Sequence, residues 1–336
     1  MKTDDTFSFY VQDFFSSYLP NIKSNSYNTI KTYRYAFVDL LKFFKEEKIE
    51  FNHMPMMAFK IEYIEKYIEY LKKKNNSCST INTKIIAIKS FFDYLEYKSI
   101  DYLNISSQVT KIHLLKKDTP IPKYLTEQEV QIILNLDSPM ITVKEYVVFL
   151  ILYYGALRVN ELCNLKIDNI KILDKSSFKI EIYNSKNNKN RIVNFECNYG
   201  KHIKKYLNSL NTLEGSYLFT NKYGNQYTKK GINYIINKLY CIAKSQSEDS
   251  TLFINEKIHP HMLRHSRAMI MLKHGVSLSE IKEYLGHENI STTEIYARLE
   301  PSIIEESLVR HAKSINYKEK YTKKEKESLE NWLKNL

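Results

Sequence analysis

The chain has 336 residues, enough for two domains of ordinary size, each with its own core. Fifty Lys and Arg against thirty-eight Asp and Glu leave a formal charge of +12, which points to a polyanionic partner, nucleic acid or an anionic membrane surface, unless a genomic bias toward Lys, Asn and Ile explains it. The four cysteines, Cys78, Cys163, Cys197 and Cys241, are far apart and form no CxxC or other ligand spacing, which fits a reducing cytoplasm.

The N-terminal MKTDDTFSFYVQDFF carries early acids in place of a basic-then-apolar leader, and the longest apolar run, Val147 to Leu157, is too short to span a bilayer. A soluble intracellular protein is expected. From Phe7 to about Leu115 the pattern is helical throughout, with Pro20 and Pro55 as breaks. In YNTIKTYRYAFVDLLKFFKE, Ile30, Tyr33, Phe37, Leu40, Leu41 and Phe44 repeat at three and four; in STINTKIIAIKSFFDYLEY, Ile81, Ile85, Ile88, Phe92 and Leu95 do the same. Ser, Asn and Thr stand at both starts as caps, and the polar faces carry Lys31 and Arg34, and Lys84 and Lys89. An all-helical first domain of four or five helices follows, over residues 1–112.

Pro120, Pro122 and a lysine cluster then mark a linker at 113–123, before Thr126-Glu-Gln-Glu129, which has the form of a capping box. The second domain, 124–310, opens with the helix that this box starts, followed by an apolar helix around Tyr146 to Leu157. Two short strands in FKIEIYNSKNNKNRIVNFE flank a polar turn, Asn184 to Asn190. Helices are expected at Lys230–Lys244, His261–His274, Leu278–Leu285 and Thr292–Tyr296. The tail, 311–336, is rich in Lys and Glu until Leu329, Trp332, Leu333 and Leu336 form one apolar stripe, too small for its own core. It either folds back or docks on a neighbouring subunit.

The stretch HPHMLRHSRAM, His259 to Met269, puts three of nine histidines and two arginines inside eleven residues. His261 and Arg264 stand three apart at a helix start, beside backbone N–H groups that favour an anion, so a phosphate would be well held there. Plainer explanations are histidines that satisfy backbone groups, or a metal pair from His261 and His265 at i and i+4. That pair lacks the Glu of HExxH and any nearby carboxylate as third ligand. Three other runs bear on the choice. YYGALRVNELCNL places Arg158 after a Gly-Ala break, with Glu161 one turn on. YNSKNNKNRIV puts Lys186, Lys189 and Arg191 in a hairpin turn able to project into a groove, and YLGHENISTTEIYARL puts His287 after a Gly turn, nine residues before Tyr296. Each alone reads as an ion pair, a solvated turn or a packing tyrosine.

Together, in the order Arg, Lys, His-x-x-Arg, Gly-His, Tyr, they resemble the tyrosine recombinase (phage integrase) family. The family's six residues fall on Arg158 in GALRVNEL, Lys186 in SKNNKNR, His261 and Arg264 in HMLRHS, His287 in LGH and Tyr296 in STTEIYARL. The motifs cover about residues 121 to 300, and the helical first half is similar to the family's SAM-like core-binding domain. The implied fold is multidomain and mainly α, with a mixed α+β catalytic domain carrying a small antiparallel sheet. Because core-binding-like helices begin by about Phe7, the resemblance is to the two-domain Xer-like and mobile-element type.

The resemblance implies cutting and rejoining of DNA through a 3′-phosphotyrosyl bond made by Tyr296, with no nucleotide cofactor and no metal. Arg158 and Arg264 would clamp the transition-state charge and Lys186 would protonate the leaving 5′-oxygen. His261 would take the tyrosine's proton or hold the phosphate, and His287 would donate to a phosphate oxygen. Glu161 is expected to orient Arg158, and His265 and Arg267 to position the helix or bind flanking phosphates. Lys189 lies in the same turn as Lys186 and competes for its role, whereas Tyr284 precedes the Gly-His turn and does not compete with Tyr296. Candidate DNA contacts are Lys31, Arg34, Lys84, Lys89, Lys189 and Arg191, with the two domains clamped around the duplex. The implied partners are double-stranded DNA with an inverted-repeat core site, a homo- or hetero-tetramer that exchanges its tail, and accessory proteins; the implied place is the cytoplasm, at the nucleoid, with no membrane. A catalytically silent, sequence-specific DNA-binding protein on the same fold and a type IB topoisomerase are the competing readings.

Overall fold

The computed structural model describes residues 5–23, 26–116, 122–183, 190–210, 215–287, 293–296, 331–332 and 334–335. The chain divides into two compact units, Met1–Pro120 and Ile121–Leu336.

The first unit is helical. α1, Phe7–Asp13, continues as a wider π-type helix over Phe14–Ile22; α2 spans Tyr27–Glu46, α3 Glu62–Lys73, α4 Cys78–Lys98 and α5 Leu103–Thr110. Pro20, expected to break the first helix, lies inside it. In the wider winding the helix closes on an i to i−5 bond, Lys23 N–H to the Tyr18 carbonyl at 2.9 Å, and proline has no N–H to contribute at its own position. Ser26 and Ser77 cap α2 and α4 through the backbone N–H groups of Thr29 and Thr80. The core is aromatic: Phe91 of α4 meets Phe7, Phe14 and Phe37 at ring-centroid distances of 5.8, 5.4 and 5.4 Å, all edge-on.

The second unit starts at α6, Glu127–Leu134, closed at its N-terminus by the Thr126–Glu129 capping box. α7, Val143–Tyr154, is buried at eight consecutive positions from Tyr146 to Tyr153, which makes it the central core helix. The short α8, Val159–Cys163, follows, then an antiparallel sheet of β1, Ile170–Ile172, β2, Ser177–Ile182, and β3, Arg191–Glu196. β2 and β3 alternate as half-buried strands should, with Phe178, Ile180, Val193 and Phe195 inward. β1 is a third strand that periodicity missed, because three residues are too few to display a period of two. α9, Gly200–Asn208, α10, Lys229–Gln246, α11, Pro260–Lys273, and α12, Leu278–Leu285, complete the unit, and Thr293–Tyr296 is one more helical turn. Among the described residues no helix is long and apolar enough to cross a membrane. The apolar stripe of the tail lies mostly outside the described residues; Trp332, within them, is exposed.

Candidate active site

The site is built where α7 ends. Gly155 allows a tight turn, since a Cβ there would stand 2.7 Å from the Ile151 carbonyl oxygen, and Ala156 takes φ +47°, a left-handed conformation uncommon for a residue with a side chain. This turn sets Arg158 at the N-cap of α8, where Glu161, one turn on, accepts its backbone N–H at 2.8 Å and its Nη1 at 2.9 Å. The Ala156 carbonyl is taken by a second arginine: Arg264 Nη1 donates to it at 2.6 Å.

Arg264 is the fifth residue of α11, whose start is set by Pro260 at N1. It is only 2 % exposed, and its Nη2 donates to the Leu285 carbonyl at the end of α12. Arg158 Nη2 donates to the next carbonyl, that of Gly286, at 3.2 Å. Consecutive carbonyls of one turn thus hold two guanidiniums in place, and the residue after them is His287, whose Nδ1 lies 3.0 Å from the Thr293 hydroxyl. Gly286 is αL at φ +65°, and a Cβ there would meet Arg191 Cδ at 2.7 Å, so both its conformation and the close approach of Arg191 require glycine.

The cluster is short of negative charge. Burial, followed by the charges of Arg158 and Arg191, pushes the Arg264 pKa down to about 9, which leaves it cationic at neutral pH. His287 is pushed down to about 4 by burial and then by Arg264 and Arg158. His261, open to solvent on one edge, is held below its ordinary value by desolvation on the other and by Arg264, His259 and Arg158. Neutral histidines and three cationic arginines therefore face one carboxylate. Burial acts to raise the Glu161 pKa, but the hydrogen bonds and charge of Arg191, with Arg158 behind, overcome it and hold the group below the usual carboxylate range. The surplus positive charge, framed by oriented N–H donors, is the electrostatic complement of a phosphodiester.

Tyr296 packs against α11. It is 1 % exposed, packed in a small cluster with Ala268, Met269 and Leu285, and its hydroxyl lies 2.8 Å from His265 Nδ1. Burial pushes its pKa up to about 12 against the pull of Arg264, while His265 is pushed down to about 4 by burial and then by His261. Tyr284 is separately occupied, its hydroxyl donating to the Tyr154 carbonyl.

The fold thus brings together Arg158, Glu161, His261, Arg264, His265, His287 and Tyr296. Lys186 and Lys189 lie outside the described residues. Arg191 departs from expectation: it is the first residue of β3, paired with Ile182, and its guanidinium turns inward to Glu161 with Nη1 to Oε1 at 2.7 Å and Nη2 to Oε2 at 2.8 Å. A buried carboxylate outcompetes solvent for a fork-shaped donor. Two of the first unit's candidate DNA contacts are engaged within the fold as well. Lys84 pairs with Asp39 at 2.7 Å, and Lys89 donates to the Thr110 and Ile112 carbonyls at 2.7 and 2.6 Å, closing the end of α5. Lys31 and Arg34 are exposed on α2. Arg267 stacks over Tyr153 and Tyr154 instead of facing the site's arginines. Among the described residues no group of three or more His, Cys, Asp or Glu side chains stands ready to hold a metal, His261 and His265 included. The Gly-Ala break before Arg158 was legible in the sequence; the carbonyls of Ala156, Leu285 and Gly286 that receive the arginines, and Thr293, were not.

Comparison with known proteins gives matches in sequence and in fold. Residues 123–302 match the model of the phage integrase family, and residues 12–98 match the phage integrase N-terminal SAM-like domain. The tyrosine recombinase XerA of Pyrococcus horikoshii is 31% identical over 294 residues, 88% of this chain and 90% of that protein. The tyrosine recombinase XerC of Listeria welshimeri is 27% identical over 307 residues, 88% of this chain and 95% of that one. In fold, the chain resembles the XerH site-specific recombinase bound to its palindromic difH substrate, with a TM-score of 0.64 at 21% identity over 83% of this chain and 78% of that one. The Tn1549 transposon integrase bound to transposon right-end DNA gives 0.60 at 17% identity over 88% and 99%. The chain belongs to the phage integrase family of tyrosine recombinases.

Proposed function

We propose that this chain is a site-specific DNA recombinase that cuts and rejoins strands through a 3′-phosphotyrosyl intermediate. The observation that carries the proposal is the paired seat of Arg158 and Arg264 on the consecutive carbonyls of Gly286 and Leu285, in a cluster with surplus positive charge. Two planar forks can grip the non-bridging oxygens of one phosphate, whose charge grows as it becomes five-coordinate.

In this reading the Tyr296 oxygen forms a bond to the scissile phosphorus as the bond to the 5′-oxygen breaks, and the leaving oxygen takes a proton from Lys186. His261 accepts the tyrosine's proton or holds the phosphate, and His287 donates to a phosphate oxygen. The covalent link keeps the phosphodiester's free energy, so the 5′-hydroxyl of a partner strand can reverse the step without a nucleotide cofactor. Glu161 orients Arg158. The DNA partner is a duplex with an inverted-repeat core site, synapsed by four protomers in the cytoplasm, with residues 311–336 bridging neighbours and accessory proteins directing the outcome.

The test is a nicked duplex carrying a candidate site from DNA beside the gene, incubated with wild type and Tyr296→Phe and run on a denaturing gel. A covalent adduct with wild type alone is expected. Tight, salt-sensitive binding with no adduct from either protein would favour a silent DNA-binding role instead.

A further inference from the structure

Arg191 and Glu161 are joined by two short bonds, and the pair is among the least exposed ionic contacts of the second unit, with side chains 13 % and 7 % exposed. A carboxylate offers about four acceptor positions, and Glu161 uses all of them, two for Arg191 and two for the backbone and side chain of Arg158. Arg191 also fills the space over Gly286, the residue whose carbonyl receives Arg158 and whose neighbour is His287. Its Nε is buried without a partner, so the guanidinium has traded one of its own hydrogen bonds for this placement.

We propose that Arg191 is a positioning residue of strand cleavage: by occupying Glu161 and packing on Gly286, it holds the Arg158 guanidinium and the His287 turn in mutual register, and it does not bind DNA. The inference rests on the recombinase reading. With both carboxylate oxygens committed to Arg191, Glu161 keeps Arg158 by one side-chain bond at 2.9 Å and leaves its Nη2 edge on the longer contact to Gly286 at 3.2 Å. That edge can exchange a carbonyl for a phosphate oxygen. Without Arg191, the bare buried carboxylate would draw both nitrogens of Arg158 into a fork and withdraw the clamp from the phosphate. Arg191 also opens β3, so the same contact ties the start of that strand to the clamp.

The test compares wild type with Arg191→Lys, Arg191→Met and the double variant Arg191→Met, Glu161→Gln. Three quantities are measured: affinity for the intact duplex across a salt series, single-turnover cleavage of the nicked duplex at saturating DNA, and thermal unfolding. Expected are wild-type affinity and salt dependence for all variants, with cleavage slower by roughly 10- to 100-fold for both Lys and Met, since an ammonium cannot replace a fork. The double variant should recover part of the loss, because it removes the carboxylate that misdirects Arg158. The proposal is overturned if Arg191→Met binds DNA more weakly with a salt slope shallower by about one, the signature of a phosphate contact. Unchanged cleavage would also overturn it, as would losses of cleavage and binding that track unfolding and vanish on cooling. Should Arg191→Met fail to fold, Arg191→Lys, which keeps charge and reach, decides alone. An adduct absent from wild type itself would count against the recombinase reading and not against Arg191 in particular.

Discussion

The hydroxyl of Tyr296 lies 2.8 Å from Nδ1 of His265, and both groups sit where burial dominates their titration. Placed this way the tyrosine is shielded, although the nucleophile proposed for it must meet DNA. His265→Ala would leave a buried hydroxyl without that partner, at a cost of about 1–3 kcal/mol to the seated conformation. Acylation of Tyr296 by N-acetylimidazole in the DNA-free protein, followed by peptide mass spectrometry, should then rise about tenfold over wild type, a change of about 1.4 kcal/mol in the seating equilibrium. Tyrosines of the first unit serve as internal references. Equal protection in both proteins would mean that packing against Met269 and Leu285, and not the histidine, keeps the ring in place.

The same burial makes the second unit acid-sensitive. His265 and His287 both have pKa values near 4 in the fold against an ordinary 6.5, so between these limits the unfolded chain binds protons that the folded one refuses. Stability therefore rises with pH through this window and is lost as pH falls from about 6.5 toward 4, by at most about 1.4 kcal/mol per pH unit for each histidine. Glu161, lowered in the fold, adds a loss in the same direction at still lower pH. Unfolding temperatures at pH 7.5 and 5 should differ by several degrees, at roughly 2–4 °C per kcal/mol, and His265→Asn with His287→Asn should flatten the slope. A slope equally steep in that double variant would place the acid sensitivity elsewhere.

Much of this was legible in the sequence because the informative patterns are local. Helical spacing in the first unit, the Thr126 capping box, and the crowded start of α11 are each contained within one or two turns, and the helix expected at Leu278–Leu285 is found there, capped by Ser277 and closed by Gly286. What was not legible depends on pairing across distance. Arg191 looked like a third hairpin cation beside Lys186 and Lys189, because nothing near it in the chain announces Glu161, thirty residues earlier. Lys89 looked like part of a DNA-facing surface for the same reason: the carbonyls it closes come from the end of a later helix. Pro20 misled in the opposite way, through a rule for α-helices applied to a wider one.

Gly286 and Gly275 offer a controlled comparison. Both are left-handed residues that follow helices, at φ +65° and +84°, but a Cβ at Gly275 meets nothing within 4 Å, whereas at Gly286 it strikes Arg191. Gly275→Ala should show only the conformational penalty, about 1–2 kcal/mol in urea unfolding, with cleavage of the nicked duplex intact. Gly286→Ala must also displace Arg191 and the Gly286 carbonyl, so cleavage should fall by at least about tenfold beyond what its stability loss explains. Matching effects at the two positions would mean that the close approach of Arg191 is easily relaxed.

The cations of the first unit should separate by the same reasoning when each is changed to alanine and DNA binding is followed across salt. Lys31 and Arg34 are exposed on α2, and if they meet phosphates each substitution should reduce the slope of log affinity against log salt by about one, with the unfolding temperature unchanged. Lys84 is held by Asp39 with its side chain 13 % exposed, so Lys84→Ala should leave the slope as it was and lower stability by no more than about 1 kcal/mol. Lys89→Ala removes two carbonyl contacts at the end of α5 and should lower stability by about 1–3 kcal/mol, again without touching the slope. A slope change in Lys84→Ala or Lys89→Ala would require that side chain to leave its internal partner on binding, and a flat result at Lys31 and Arg34 together would move the DNA-facing surface off α2.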